Sequence, residues 1–149
     1  MALKEQLRAD LTVAMKARDE LRASTLRMVL TAITNEEVAG KQARELSDDD
    51  VTKVLAREAK KRRESIEAFS AAGRNELAER ERAEAGVIDA YLPAQLDDAE
   101  LAALVTAAIA ETGAAGPQAM GQVMKAVQPA IAGRADGSRV AAEVRRQLG

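Results

Sequence analysis

The sequence predicts an all-α protein in two parts, and three observations carry that reading. Alanine supplies much of the 47% apolar fraction, and one Phe, one Tyr and no Trp leave little material for strands. Apolar residues recur every three or four positions, the helical period, and do not alternate. Leu92-Pro93 interrupts this pattern once, because the residue before proline avoids the α region.

The elements follow in order. Leu3, Leu7, Leu11 and Met15, four residues apart, mark a first helix with one apolar stripe. Asp19 is placed to cap a second, whose face is Leu26, Val29, Leu30 and Ile33 and which ends by Gly40. Ser47 followed by three aspartates opens a third, since a hydroxyl cap and early acids satisfy and neutralise a helix N-terminus. It runs to about Ala72 with Val51, Val54, Leu55, Ile66 and Phe69 inward, and Gly73 breaks it. About 24 residues make it about 36 Å long, a hairpin arm with the fourth helix from about Asn75 to Tyr91. Asp97 with Glu100 forms a capping-box start for the fifth helix, whose face is Leu101, Leu104, Val105, Ala108 and Ile109. Pro117 suits a first helical position before Met120, Val123, Met124 and Val127, and Pro129 is expected to limit that helix. Val140, Val144 and Leu148 define the last one. The expected organisation is a long-helix domain over residues 1–92, a linker at 93–96 and a small three-helix domain at 97–149, too small to bury a large core.

Composition excludes several chemistries. The chain has no cysteine and no histidine, which removes disulfides, thiolate nucleophiles, Cys/His metal sites and Ser-His or Cys-His catalysis. No apolar run approaches the roughly 20 residues of a membrane span. The amphipathic, acid-bearing start at Met1–Glu5 is unlike a signal or transit peptide, so the expectation is a cytoplasmic protein with no membrane partner. Glu36-Glu37 and Asp48-Asp49-Asp50 are adjacent acids near helix ends, where solubility and capping explain them better than catalysis. No catalytic residue, cofactor or metal is assigned.

Charge is distributed unevenly. Residues 1–96 hold 17 Lys and Arg against 18 Asp and Glu, whereas residues 120–149 hold five cations (Lys125, Arg134, Arg139, Arg145, Arg146) against Asp136 and Glu143. The last thirty residues are thus locally +3, which favours an anionic partner there. Lys60-Lys61-Arg62-Arg63 is the densest basic run, but helical residues turn by about 100° each, so it encircles its helix. Glu58, Glu64 and Glu67 stand at the spacings that would pair with Arg62, Lys60 and Arg63. Gly133 and Gly137 bracket a short loop in which Arg134 and Arg139 flank the start of the last helix. That arrangement reads either as a tight turn capped by Asp136 or as a phosphate site built on a helix N-terminus. Arg145 and Arg146 suit the last turn of a helix with or without a ligand.

Five stretches taken together resemble the GatB/YqeY family along the whole chain. They are Ala14–Asp19 with Leu26–Met28, Lys60–Glu67, Tyr91–Leu96, Met120–Lys125 and Gly133–Gly137. The match is to the small stand-alone YqeY-like proteins in particular. The resemblance implies a helical N-terminal domain and a C-terminal domain similar to the tail of GatB. GatB is a subunit of the tRNA-dependent amidotransferase that amidates Glu-tRNA(Gln) or Asp-tRNA(Asn), and its tail is associated with tRNA recognition. Nothing in this chain looks like the larger GatB domain that carries ATP, magnesium and amide transfer. The resemblance therefore implies a non-catalytic tRNA-associated protein, accessory to amidation or translation, with tRNA and an amidotransferase or other translation protein as partners. RNA or phosphate contacts would come from Lys125, Gly133, Arg134, Gly137, Arg139, Arg145 and Arg146. A protein–protein adaptor without RNA contact, and a carbon–nitrogen ligase with glutamine as amido-N-donor, are the alternatives.

Overall fold

The computed structural model describes residues 2–149, and among these it shows seven α-helices and no strand. The chain divides into two compact units, one reaching to Leu92 and the other spanning Pro93–Gly149.

The first unit contains α1 (Leu3–Lys16), α2 (Glu20–Glu37), α3 (Asp48–Ala71) and α4 (Asn75–Asp89). The capping residues act as their chemistry dictates. The Asp19 carboxylate accepts from the Arg22 amide, and the Ser47 hydroxyl accepts from the Asp50 amide. The core joins Leu7 of α1, Leu26, Val29 and Ile33 of α2, Val51, Val54, Leu55 and Ala59 of α3 and Ile88 of α4, with Leu46 from the preceding loop. Full burial stabilises such aliphatic side chains by about 1.5–3 kcal/mol each.

Two details of the sequence pattern need correction. Met15 is 52% exposed, and Ala14 is buried in its place. At 100° per residue, twelve positions carry Met15 about 120° away from Leu3, whereas Ala14 returns to within about 20° of it. Ile66 and Phe69 are only half-buried, and the α3 core ends at Ala59.

The second unit contains α5 (Asp98–Thr112), a 3-10 turn at Pro117–Ala119, α6 (Met120–Ile131) and α7 (Gly137–Leu148). Asp97 and Glu100 complete a reciprocal capping box: the Glu100 amide donates to Asp97 at 2.7 Å, and the Asp97 amide donates to Glu100 at 3.3 Å. Leu96, Leu101, Val105, Ala108, Val123, Val127, Ile131, Val140 and Val144 form a separate core. Pro129 does not stop α6, which continues to Ile131. A proline in the last turn removes only one amide donor, and the continuation seats Ile131, 3% exposed, in the core. The turn after α6 then takes Ala132 (φ 39°) and Gly133 (φ 79°) through the left-handed region.

Candidate nucleic-acid interface

The loop between α6 and α7 is held by the segment that enters α5. The Leu96 amide donates to the Arg134 carbonyl at 2.8 Å, the Gln95 side-chain amide donates to the Gly133 carbonyl at 3.1 Å, and Arg134 Nε donates to the Ala94 carbonyl at 3.2 Å. These contacts fix Arg134 beside the N-terminus of α5, with its guanidinium 3.9 Å from Glu100. Arg139 lies in the first turn of α7 and donates to Asp98 at 3.0 Å. Gly133 uses its conformational freedom, but Gly137 does not: it is an ordinary first residue of α7 with open space where a Cβ would sit. Asp136 occupies the N-cap position of α7 without bonding the first turn through its side chain.

The structure thus brings Gly133, Arg134, Gly137 and Arg139 to one end of α7 and places acids there as well. Asp97, Asp98, Glu100 and Asp136 against Arg134 and Arg139 leave that end at −2, a balance hidden when only residues 120–149 are counted. Arg145 and Arg146 lie at the opposite end of α7, six and seven residues beyond Arg139 and so about 9–10 Å along the axis. Arg146 makes a bidentate pair with Glu143, whose carboxyl is held down at about 2 by the Arg146 hydrogen bonds and then by Gln147. Lys125 and Arg145 are exposed and have no acidic partner among the described residues.

The basic run of α3 is divided around the helix as its periodicity requires. Lys60 and Lys61 are exposed, while Arg62 turns inward to α4, 3.2 Å from Glu84 and 3.6 Å from Glu81. These are charge contacts without hydrogen-bond alignment at Nε. Glu58 pairs with Lys61, one residue earlier than the Arg62 spacing suggests. The acid pairs near the helix ends are structural. Glu37 binds Lys4 at 2.7 Å, which lowers its pKa, Glu36 binds Arg57, and Asp48 accepts from the Leu3 amide.

Two features of the first unit lie beyond the reach of sequence spacing. Tyr91 Oη donates to Asp10 at 2.5 Å and accepts from Arg22 at 3.4 Å, linking α1, α2 and the end of α4. Burial, and then the bond to Asp10, push the phenol up to about 12. The second feature is a groove where α1 turns into α2, lined by Ala14, Met15, Arg18, Leu21 and Arg27 with Arg80 from α4. The sequence signal for it is the failure of Met15 to stay on the stripe of Leu3, Leu7 and Leu11.

The model of the YqeY-like protein family matches residues 4–148, nearly the whole chain. The mitochondrial altered inheritance of mitochondria protein 41 of Lachancea thermotolerans is 36% identical over 86 residues, covering 58% of this chain and 46% of that protein. Its counterpart in Saccharomyces cerevisiae strain YJM789 is 38% identical over 88 residues, with the same two coverages. An uncharacterised protein of Schizosaccharomyces pombe is 37% identical over 92 residues, covering 61% of this chain and 72% of its own length. The matched part spans about half the length of the two mitochondrial relatives. Their mitochondrial names overturn the cytoplasmic expectation. Helical periodicity and composition report a fold, whereas a compartment is set by addresses that receptors read, often outside the folded body. The chain belongs to the YqeY-like family.

Proposed function

We propose that this YqeY-like protein is a non-catalytic binding protein for structured RNA, tRNA first, that uses the second unit and is accessory to tRNA-dependent amidation or translation. The observation that carries the reading is the state of the five cations of residues 120–149. All are at least partly exposed, and of the three that are paired Arg134 and Arg139 sit in surface ion pairs; the acid facing Arg139, Asp98, is itself fully exposed. Exposed pairs of this kind contribute only about 0–1 kcal/mol, so exchanging a carboxylate for a phosphate costs the fold little. Lys125 and Arg145 need no exchange. With a single Tyr and a single Phe in the chain, recognition through shape and backbone phosphates is favoured over base stacking. The resemblance of this segment to an amidotransferase tail supports tRNA as the first RNA to try.

The test is fluorescence anisotropy with purified total tRNA and the intact chain, at about 50 and about 200 mM salt. Five phosphate contacts predict an affinity loss of roughly two to three powers of ten across that range. An Arg134/Arg139/Arg145/Arg146→Ala variant should bind weakly and with a much flatter salt slope. Absence of wild-type binding at the lower salt refutes the reading for free tRNA. Equal slopes for wild type and variant refute the assignment to the second unit.

A further inference from the structure

The geometry points to a docking site on the first unit for an acidic protein segment that carries an aliphatic side chain, seated in the groove where α1 turns into α2. The groove is lined by the apolar residues Ala14, Met15 and Leu21 and by three arginines, Arg18, Arg27 and Arg80. Met15 is 52% exposed there although it is a large apolar residue. A flexible thioether on an exposed concave surface adapts to a partner's side chain.

The backbone gives a second and independent reason. α1 closes with the Asp19 amide donating to the Ala14 carbonyl at 2.9 Å and the Arg18 amide donating to Met15 at 3.1 Å. In this C-terminal motif the residue at Arg18 takes φ 56°. Glycine is the ordinary occupant of that position, and this chain uses it after α3, where Gly73 has φ 74°, and after α5, where Gly113 has φ 65°. An arginine here strains the backbone, and its side chain returns nothing to the fold through an ion pair among the described residues. Arg27 likewise has no ion pair among them, and Arg80 contacts Glu84 at 3.5 Å while its side chain stays 69% exposed. Ala132 takes φ 39° with only a methyl group to offer, so strain alone does not mark a site; at Arg18 it coincides with a charged side chain that lines the groove.

Charge decides the chemistry of that partner. Three guanidinium groups call for anions, but Asp19 and Glu20 also line the groove. A continuous string of phosphates would be repelled by them, whereas carboxylates spaced along a peptide can face the arginines and leave the acids in water. The apolar residues then take the aliphatic side chain between those carboxylates. This site goes beyond the RNA reading and is independent of it, being on the other unit.

The test is selection of a random short-peptide phage library on the intact chain, followed by synthesis of the enriched peptides and backbone amide NMR mapping. Enrichment of peptides that combine Asp or Glu with Leu, Ile or Met, shifting resonances between Met15 and Arg27, is the expected result. The decisive variant is Arg18→Gly. It should keep or raise the melting temperature while weakening peptide binding about tenfold or more. Arg27→Glu should abolish binding. Enrichment of basic or neutral peptides, no enrichment, or peptides that bind Arg18→Gly as well as wild type would each overturn the proposal. So would a uridine oligonucleotide that shifts the same resonances when the peptides do not, since the groove would then belong to RNA.

Discussion

Replacing Tyr91 by Phe removes one oxygen and tests how the first unit is tied together. The phenol donates to Asp10 at 2.5 Å and accepts from Arg22 at 3.4 Å, so the substitution breaks the link from the end of α4 to α1 and α2. The site is half-buried, and water can solvate Asp10 once the phenol has gone. The loss at neutral pH is therefore about 1 kcal/mol, below that for a fully buried bond to a charged group. The same contact sets an alkaline signature. The phenol rises from 10.0 to about 12 on folding, through burial first and the Asp10 bond second. A raised acid binds its proton more tightly in the native state, so its contribution is complete below pH 10 and is lost as pH climbs toward 12. The rise from 10.0 to about 12 corresponds to about 2.7 kcal/mol before screening, and partial exposure reduces that to roughly 1 kcal/mol. Because the chain has one Tyr and no Trp, near-ultraviolet absorbance reports the titration of Tyr91 alone. Urea denaturation of wild type and Tyr91→Phe at neutral pH and at about pH 11 separates this group from the lysines, which titrate in both proteins. The stability gap between the two should shrink at the higher pH. An absorbance midpoint near 10, or a gap that does not change with pH, would refute the assigned network.

Three further expectations concern the second unit. Ala132 holds φ 39° at the end of α6, so Ala132→Gly should raise stability by about 1 kcal/mol, read from chemical denaturation. Asp97→Ala opens the capping box of α5 and should cost about 1 kcal/mol, with faster hydrogen exchange at the Glu100 amide as the local readout. The Glu143 carboxyl, held at about 2 by Arg146 and Gln147, makes a contribution that is present above the ordinary carboxylate range. That contribution is lost as pH falls from 4.5 toward 2, and Arg146→Gln should return the NMR titration of Glu143 toward normal.

The helices were legible in the sequence because each is fixed by local chemistry. Asp19, Ser47 and Asp97 cap where their side chains can reach the first-turn amides, and the apolar faces follow from 3.6 residues per turn. Spacing failed where a small phase error accumulates, as at Met15, and where tertiary burial outweighs a local preference, as at Pro129, beyond which Ile131 must reach the core. The charge balance around the candidate site was not legible for a different reason. A charge count along residues 120–149 treats neighbours in sequence as neighbours in space, but Asp98 and Glu100 come from a helix some forty residues earlier and lie against Arg139 and Arg134. What remains without an ion pair among the described residues is set by packing and not by composition: Lys125 and Arg145 in the second unit, and in the first Arg18 and Arg27 together with others such as Lys16, Lys53, Lys60 and Arg74. A chain with net charge −2 can therefore present separate cationic sites, provided its acids are consumed by caps and ion pairs elsewhere. Glu37, Glu84, Asp97 and Glu143 are so consumed, which leaves Arg145, Arg18 and Arg27 among the cations open to an anionic partner.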